Sequence, residues 1–169
     1  MLMADVKKKI CMVGDFAVGK TSLTQRYINQ VFSEKYLTTI GVKIDTKTIP
    51  IDGDNNCKLV IWDIAGRDSM SPLQSNYLVG AAGFILVVDG TRRESIDSTE
   101  MLIDQVQARL PSSAFIVLIN KNDLTNDWKF SEQDEEKYQS NQWEYLFSSA
   151  KTGESVDEAF VRLVDKMLV

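Results

Sequence analysis

The sequence predicts an α/β domain with a mainly parallel sheet, on three observations. Short, continuous apolar runs at Lys8–Val13, Phe84–Val88 and Phe115–Ile119 read as strands buried on both faces. Amphipathic stretches at helical spacing alternate with them. The first run also passes through a glycine-bearing loop, Gly14–Gly19, straight into a helical pattern, the junction that a parallel βα unit needs. Ligands of such folds bind outside the carboxyl ends of the strands, so functional residues are sought there.

The elements follow in order. After the strand at 8–13, a helix runs from Lys20 to about Gln30, with Leu23, Tyr27 and Ile28 on one face. Val31–Val42 has no clean period and reads as a loop. Lys43–Ile51 alternates Ile44, Thr46 and Thr48 against Lys43, Asp45 and Lys47, which suits a half-exposed edge strand. Asp52–Asn56 is turn chemistry, and Cys57–Ile64 returns as the second arm of a hairpin. Ser95–Leu110 reads as one helix carrying Ile96, Ile103, Val106 and Leu110, ended by Pro111, while Leu102 is counted with the surface. Ser131–Ser140 is a short polar helix opened by a Ser131/Asp134 capping box. Tyr145–Ser148 is the last strand. Ser155–Leu168 is the last helix, with Ser155 and Glu158 placed for a second capping box and Val156, Phe160, Leu163, Val164 and Met167 facing inward.

The chain has 169 residues, 44% of them hydrophobic and 25% charged, which suits one globular domain over 1–169. A net charge of −5 gives no electrostatic footing for nucleic acid. Lys7, Lys8 and Lys9 read as the solvated approach to the first strand. Without histidine, His-based catalysis and His metal ligation are excluded. Cys11 and Cys57 fit no metal spacing and are expected as buried, reduced thiols. The first residues lack the long apolar stretch of a signal peptide, and with no run of about 18 apolar residues no membrane span is expected. Without a C-terminal Cys or a Gly at position 2, the chain as given does not support membrane attachment. A cytoplasmic location is expected, with membrane association if a lipidated tail is missing.

Five segments at strand ends carry the chemistry. Gly14-Asp15-Phe16-Ala17-Val18-Gly19-Lys20-Thr21 fits GxxxxGK[ST], a phosphate loop. Its backbone N–H groups would cradle phosphates, Lys20 would add charge, and the Thr21 hydroxyl would ligate Mg²⁺. Ser22 is counted with it. Asp63-Ile64-Ala65-Gly66 places a carboxylate for Mg²⁺ and a glycine N–H for a γ-phosphate, although alone it reads better as a strand-end turn. Asn120-Lys121-Asn122-Asp123 fits NKxD. Asp123 can accept from guanine N1–H and its amine, the Lys121 stem can cover the base, and Asn120 can tie this loop to the phosphate loop. Ser149-Ala150-Lys151 offers the Ala150 N–H to guanine O6, which adenine cannot match. The aperiodic loop holds Tyr36 and Thr39, the latter able to ligate Mg²⁺ and sense the γ-phosphate, and Phe32, able to stack on the base. Each segment alone could be an ordinary turn; their order in one chain could not be chance.

In that order the chain resembles a small GTPase of the Ras superfamily over essentially its whole length. It is most similar to the Rab branch through Thr39-Ile40-Gly41-Val42, Trp62–Gly66 and Tyr77–Gly83. The resemblance implies a six-stranded, mostly parallel sheet with one antiparallel edge strand and five flanking helices. It also implies GTP/GDP switching with Mg²⁺, in trafficking or signalling, with effectors, an exchange factor and an activating protein as partners. Lys20, Thr39 and Gly66 then serve hydrolysis.

Three positions depart from the family. Arg67 stands where most members have the Gln that orients the attacking water; arginine has donors but no acceptor. It could instead approach the γ-phosphate as a cation, or face solvent. Phe16 replaces a small residue near where a partner's arginine would enter, and could block it, pack on Arg67, or simply turn away from the nucleotide. Lys43 replaces an acidic residue on the effector edge. Slow hydrolysis is therefore expected at Arg67. Two rivals remain: a GTP-held binding module that does not turn over, and a small-molecule kinase, against which the NKxD and SAK segments argue.

Overall fold

The structure, a computed structural model, describes residues 5–33, 41–66 and 72–169. Strands β1 (Val6–Val13), β2 (Val42–Asp52), β3 (Asn55–Ile64), β4 (Gly83–Asp89), β5 (Ala114–Asn120) and β6 (Tyr145–Phe147) form one sheet in the order β2-β3-β1-β4-β5-β6. Only β2 and β3 pair antiparallel, around the Gly53-Asp54 turn; every other pairing is parallel. The alternating segment is thus the edge strand that its pattern predicts. The strand order reverses at β1, with β3 on one side and β4 on the other, which opens a crevice at its carboxyl end.

Helices α1 (Lys20–Asn29), α2 (Pro72–Asn76), α3 (Arg93–Asp97), α4 (Thr99–Arg109), α5 (Glu132–Ser140) and α6 (Val156–Met167) make six among the described residues, against the five expected. The stretch read as one helix over 95–110 is two, broken at Ser98. The Ser98 and Thr99 hydroxyls donate to the Glu94 and Ile96 carbonyls, at 2.8 Å each, competing with the helical ladder at that turn. Leu102 is not a surface residue but buried beside Ile103 and Val106. The Ser131/Asp134 box forms as expected. The Ser155/Glu158 box does not: Ser155 is left-handed at φ 59°, its side chain makes no cap, and Glu158 pairs with Arg162 instead.

Strand alternation divides the core into two layers. Ile10, Met12, Ile85, Val87, Ile116 and Leu118 face α1 and α6; Cys11, Val13, Phe84, Leu86, Val88 and Val117 face α4 and α5. Both cysteines are buried free thiols. The first layer is bridged by Tyr27 of α1 and Phe160 of α6, whose rings stack at 3.8 Å. Phe160 is fully buried. Phe160→Ala is expected to cost about 3–5 kcal/mol by urea unfolding of the nucleotide-loaded protein, from lost transfer energy plus the cavity left behind. A loss below about 1 kcal/mol would show that this contact matters little. No helix among the described residues is long and apolar enough to cross a membrane.

Candidate functional site

The parallel registers set the carboxyl ends of β1, β3, β4 and β5 along one edge, with Met12 opposite Asp63 and Asp89 opposite Asn120. The loop 14–19 leaves β1 there and enters α1. Each of its carbonyls is occupied. The Lys20 ammonium donates to the Gly14 and Asp15 oxygens, both at 2.9 Å. The Arg92 guanidinium donates to the Phe16 oxygen at 2.6 Å, Lys121 Nζ to the Ala17 oxygen at 2.9 Å, and Asn120 Nδ2 to the Val18 oxygen at 3.0 Å. The Gly19 oxygen takes the Leu23 N–H of α1 at 2.8 Å. Among the described residues no peptide bond is cis. The N–H groups of Ala17, Val18 and Gly19 therefore point away from the side chains that hold the carbonyls. A loop with one face of N–H groups, running into a helix N-terminus, is receptive to anions.

Two glycines are required by close approach. At Gly19, φ is 105° and a Cβ would lie 2.4 Å from Asn120 Nδ2. At Gly66, a Cβ would lie 2.4 Å from the Asp15 oxygen and 2.5 Å from Lys20 Nζ. The segment just after β3 thus rests directly on the loop and its lysine. Lys20 is buried, and burial lowers its pKa to about 8, partly offset by the Asp63 and Asp15 carboxylates; Arg92 lowers it further.

Thr21 Oγ1 donates to Asp63 Oδ2 at 2.6 Å, and Asp63 is fully buried. Among the described residues no group of three or more His, Cys, Asp or Glu side chains is placed to hold a metal ion. One hydroxyl and one carboxylate, both hard oxygens, suit a Mg²⁺ ion that keeps waters and takes the rest of its shell from phosphate.

Behind the loop lies a buried carboxylate that sequence reasoning missed. Asp89, at the end of β4, accepts from Thr91 N–H and Oγ1 at 2.9 and 2.6 Å and pairs with Lys121 at 2.7 Å and Arg92 at 3.1 Å. Burial alone would push its carboxyl up, but the Lys121 and Thr91 bonds more than offset this and hold it below its ordinary range. An acidic residue closing a wholly apolar strand was the available signal.

The remaining loops converge on the same edge. Ser148 Oγ donates to Asn120 Oδ1 at 3.2 Å, and the buried Ser149 hydroxyl donates to Asp123 Oδ1 at 2.7 Å. Arg26 of α1 donates to the Ala150 oxygen at 2.7 Å and to the Lys151 oxygen. Ala150 is buried and Lys151 exposed. Phe16 and Phe32 are exposed aromatics, and Ser22 lies half-buried in the first turn of α1. Lys43 is exposed on β2 beside Asp45. Lys9, read as solvated, instead lies 3.6 Å over the Trp62 ring and donates to the Val79 oxygen at 2.7 Å. Tyr36, Thr39 and Arg67 lie outside the described residues.

A family model described as the Ras family matches residues 9–169. The chain belongs to the Ras family. It is 34% identical to Ras-related protein Rab-12 of Mus musculus over 168 residues, 98% of this chain and 69% of that protein. It is 38% identical over 159 residues to Ras-related protein Rab-1 of Theileria annulata, covering 92% and 71%. Ras-related protein Rab-18-B of Danio rerio is 35% identical over 162 residues, covering 95% and 78%. This is a Rab-like small GTPase of the Ras superfamily, a family whose nucleotides are GTP and GDP and whose usual metal is Mg²⁺.

Proposed function

We propose that this GTPase is a guanine-nucleotide switch that binds Mg²⁺·GTP and hydrolyses it slowly, in trafficking or signalling. The observation that carries the reading is the set of side chains that holds the loop 14–19. Lys121, expected to cover the base, and Asn120, expected to tie its loop to the phosphate loop, are both bonded to the very loop expected to hold the phosphates. One nucleotide can therefore span both.

In this reading the N–H groups of residues 14–22 and Lys20 hold phosphate. Thr21 and Thr39 would ligate Mg²⁺, with Asp63 behind them; when bound, the ion neutralises charge on the phosphate oxygens. Gly66, resting on Lys20, supplies an N–H for the γ-phosphate. Asp123, Lys121 and Ala150 read guanine, and Phe32 and Tyr36 border the base and its loop. Losing γ-phosphate contacts at Thr39 and Gly66 would release both switch segments and with them the effectors.

Arg67 favours slow turnover, since it cannot accept a hydrogen bond from the attacking water. Taken to its limit, this is the second reading, a GTP-held binding module. Phe16, exposed on the loop, supports interference with an activator's arginine. Its replacement by Gly is expected to restore stimulation by an activating protein. A nucleotide panel tests the main reading. GTP and GDP should bind at least about a hundredfold more tightly than ATP, because an adenine leaves Asp123 without its donors. Equal affinity for ATP, or phosphoryl transfer from ATP to a small molecule, would contradict it.

A further inference from the structure

Of the three side chains that hold the Phe16, Ala17 and Val18 carbonyls from outside the loop, two belong to the NKxD segment. The third, Arg92, belongs to no motif. It lies at the turn between β4 and α3, where its Nε pairs with the buried Asp89 at 3.1 Å and its terminal nitrogen donates to the Phe16 oxygen at 2.6 Å. The peptide it holds is a strained one. Ala17 follows with φ 62°, in the left-handed region that a side chain disfavours. Rotating the Phe16–Ala17 peptide by half a turn would carry Ala17 to an ordinary negative φ. The same rotation would turn the Phe16 carbonyl inward and the Ala17 N–H outward. Neither Phe16 nor Ala17 has a polar side chain with which to hold the peptide.

We propose that Arg92, anchored on Asp89, is a positioning residue for nucleotide retention, fixing the Phe16–Ala17 peptide so that the Ala17 N–H faces the phosphates. This rests on the reading that the loop 14–19 holds phosphate. Arg92 does not touch the base-reading residues Asp123 and Ala150 in any described contact, so its effect should fall on the phosphate side. Asp89 is shared with Lys121, so a general loosening of this corner would fall on the base side as well.

The test is the release rate of a fluorescent GDP from the full chain with Mg²⁺, for the natural protein, Arg92→Met and Arg92→Lys. Met keeps the apolar stem and removes every donor; Lys keeps a cationic donor. Release from Arg92→Met is expected to be about tenfold faster, the low end for a charge-assisted bond at a partly exposed site. Arg92→Lys should stay within about threefold of the natural rate. The ratio of inosine diphosphate to GDP release, which reads the base's amine, should be unchanged in both. Release from Arg92→Met within about twofold of natural would overturn the proposal. So would a changed inosine-to-guanosine ratio, which would mark a loosened base corner. Failure of the natural protein to bind GDP at all would instead overturn the phosphate-loop reading beneath it.

Discussion

Asp123→Ala is expected to weaken GTP binding by about a thousandfold or more and to erase the preference over ATP. A site built to pair a base's donors rejects what cannot supply them by several orders of magnitude, and the same pairing is lost when the acceptor is removed. The carboxylate is already aimed: the buried Ser149 hydroxyl holds one of its oxygens at 2.7 Å, so little ordering remains on binding. Asp123→Asn sharpens the test. An amide offers one acceptor and one donor in place of two acceptors. It no longer matches the two donors of guanine, and it matches xanthine, whose second position is a carbonyl. Equilibrium titration of Asp123→Asn with GTP and xanthosine triphosphate should show the preference reversed. GTP affinity within about tenfold of natural in the Ala variant would remove Asp123 from the base site.

Arg67→Gln is expected to raise the single-turnover rate of GTP hydrolysis by about tenfold to a hundredfold. Gln offers the attacking water an acceptor and the γ-phosphate a donor; Arg offers only donors. Positioned groups of this kind contribute roughly a hundredfold or more to proton-coupled steps, and part of that should return with the amide. GTP affinity should change little, because the proposed site holds the phosphates by backbone N–H groups and Lys20. A slower Gln variant would mean that Arg67 acts on the γ-phosphate as a cation, as an arginine finger does.

The sequence makes the strand–loop–helix at 14–21, the hairpin edge and the NKxD strand end legible, because each is fixed by local pattern. Apolar runs give the strands, glycines the loop, and alternation the exposed edge. The Ser131 box is legible for the same reason: its partners sit three residues apart on one helix. What was not legible depends on contacts distant in sequence or on competition within a turn. The break at Ser98 comes from hydroxyls drawn to the preceding carbonyls. The Ser155 box fails where the loop after β6 closes on itself, Gly153 N–H donating to the Ser149 oxygen and Val156 N–H to Gly153. Asp89 and Arg92 carry no motif, and their importance comes from Lys121 and Phe16, which only the fold brings to them.

The most direct measurement is single-turnover hydrolysis of preloaded GTP with Mg²⁺ by the natural chain. A slow switch predicts that bound GTP persists for hours and that Arg67→Gln shortens its life. Conversion to GDP within minutes by the natural chain would contradict it.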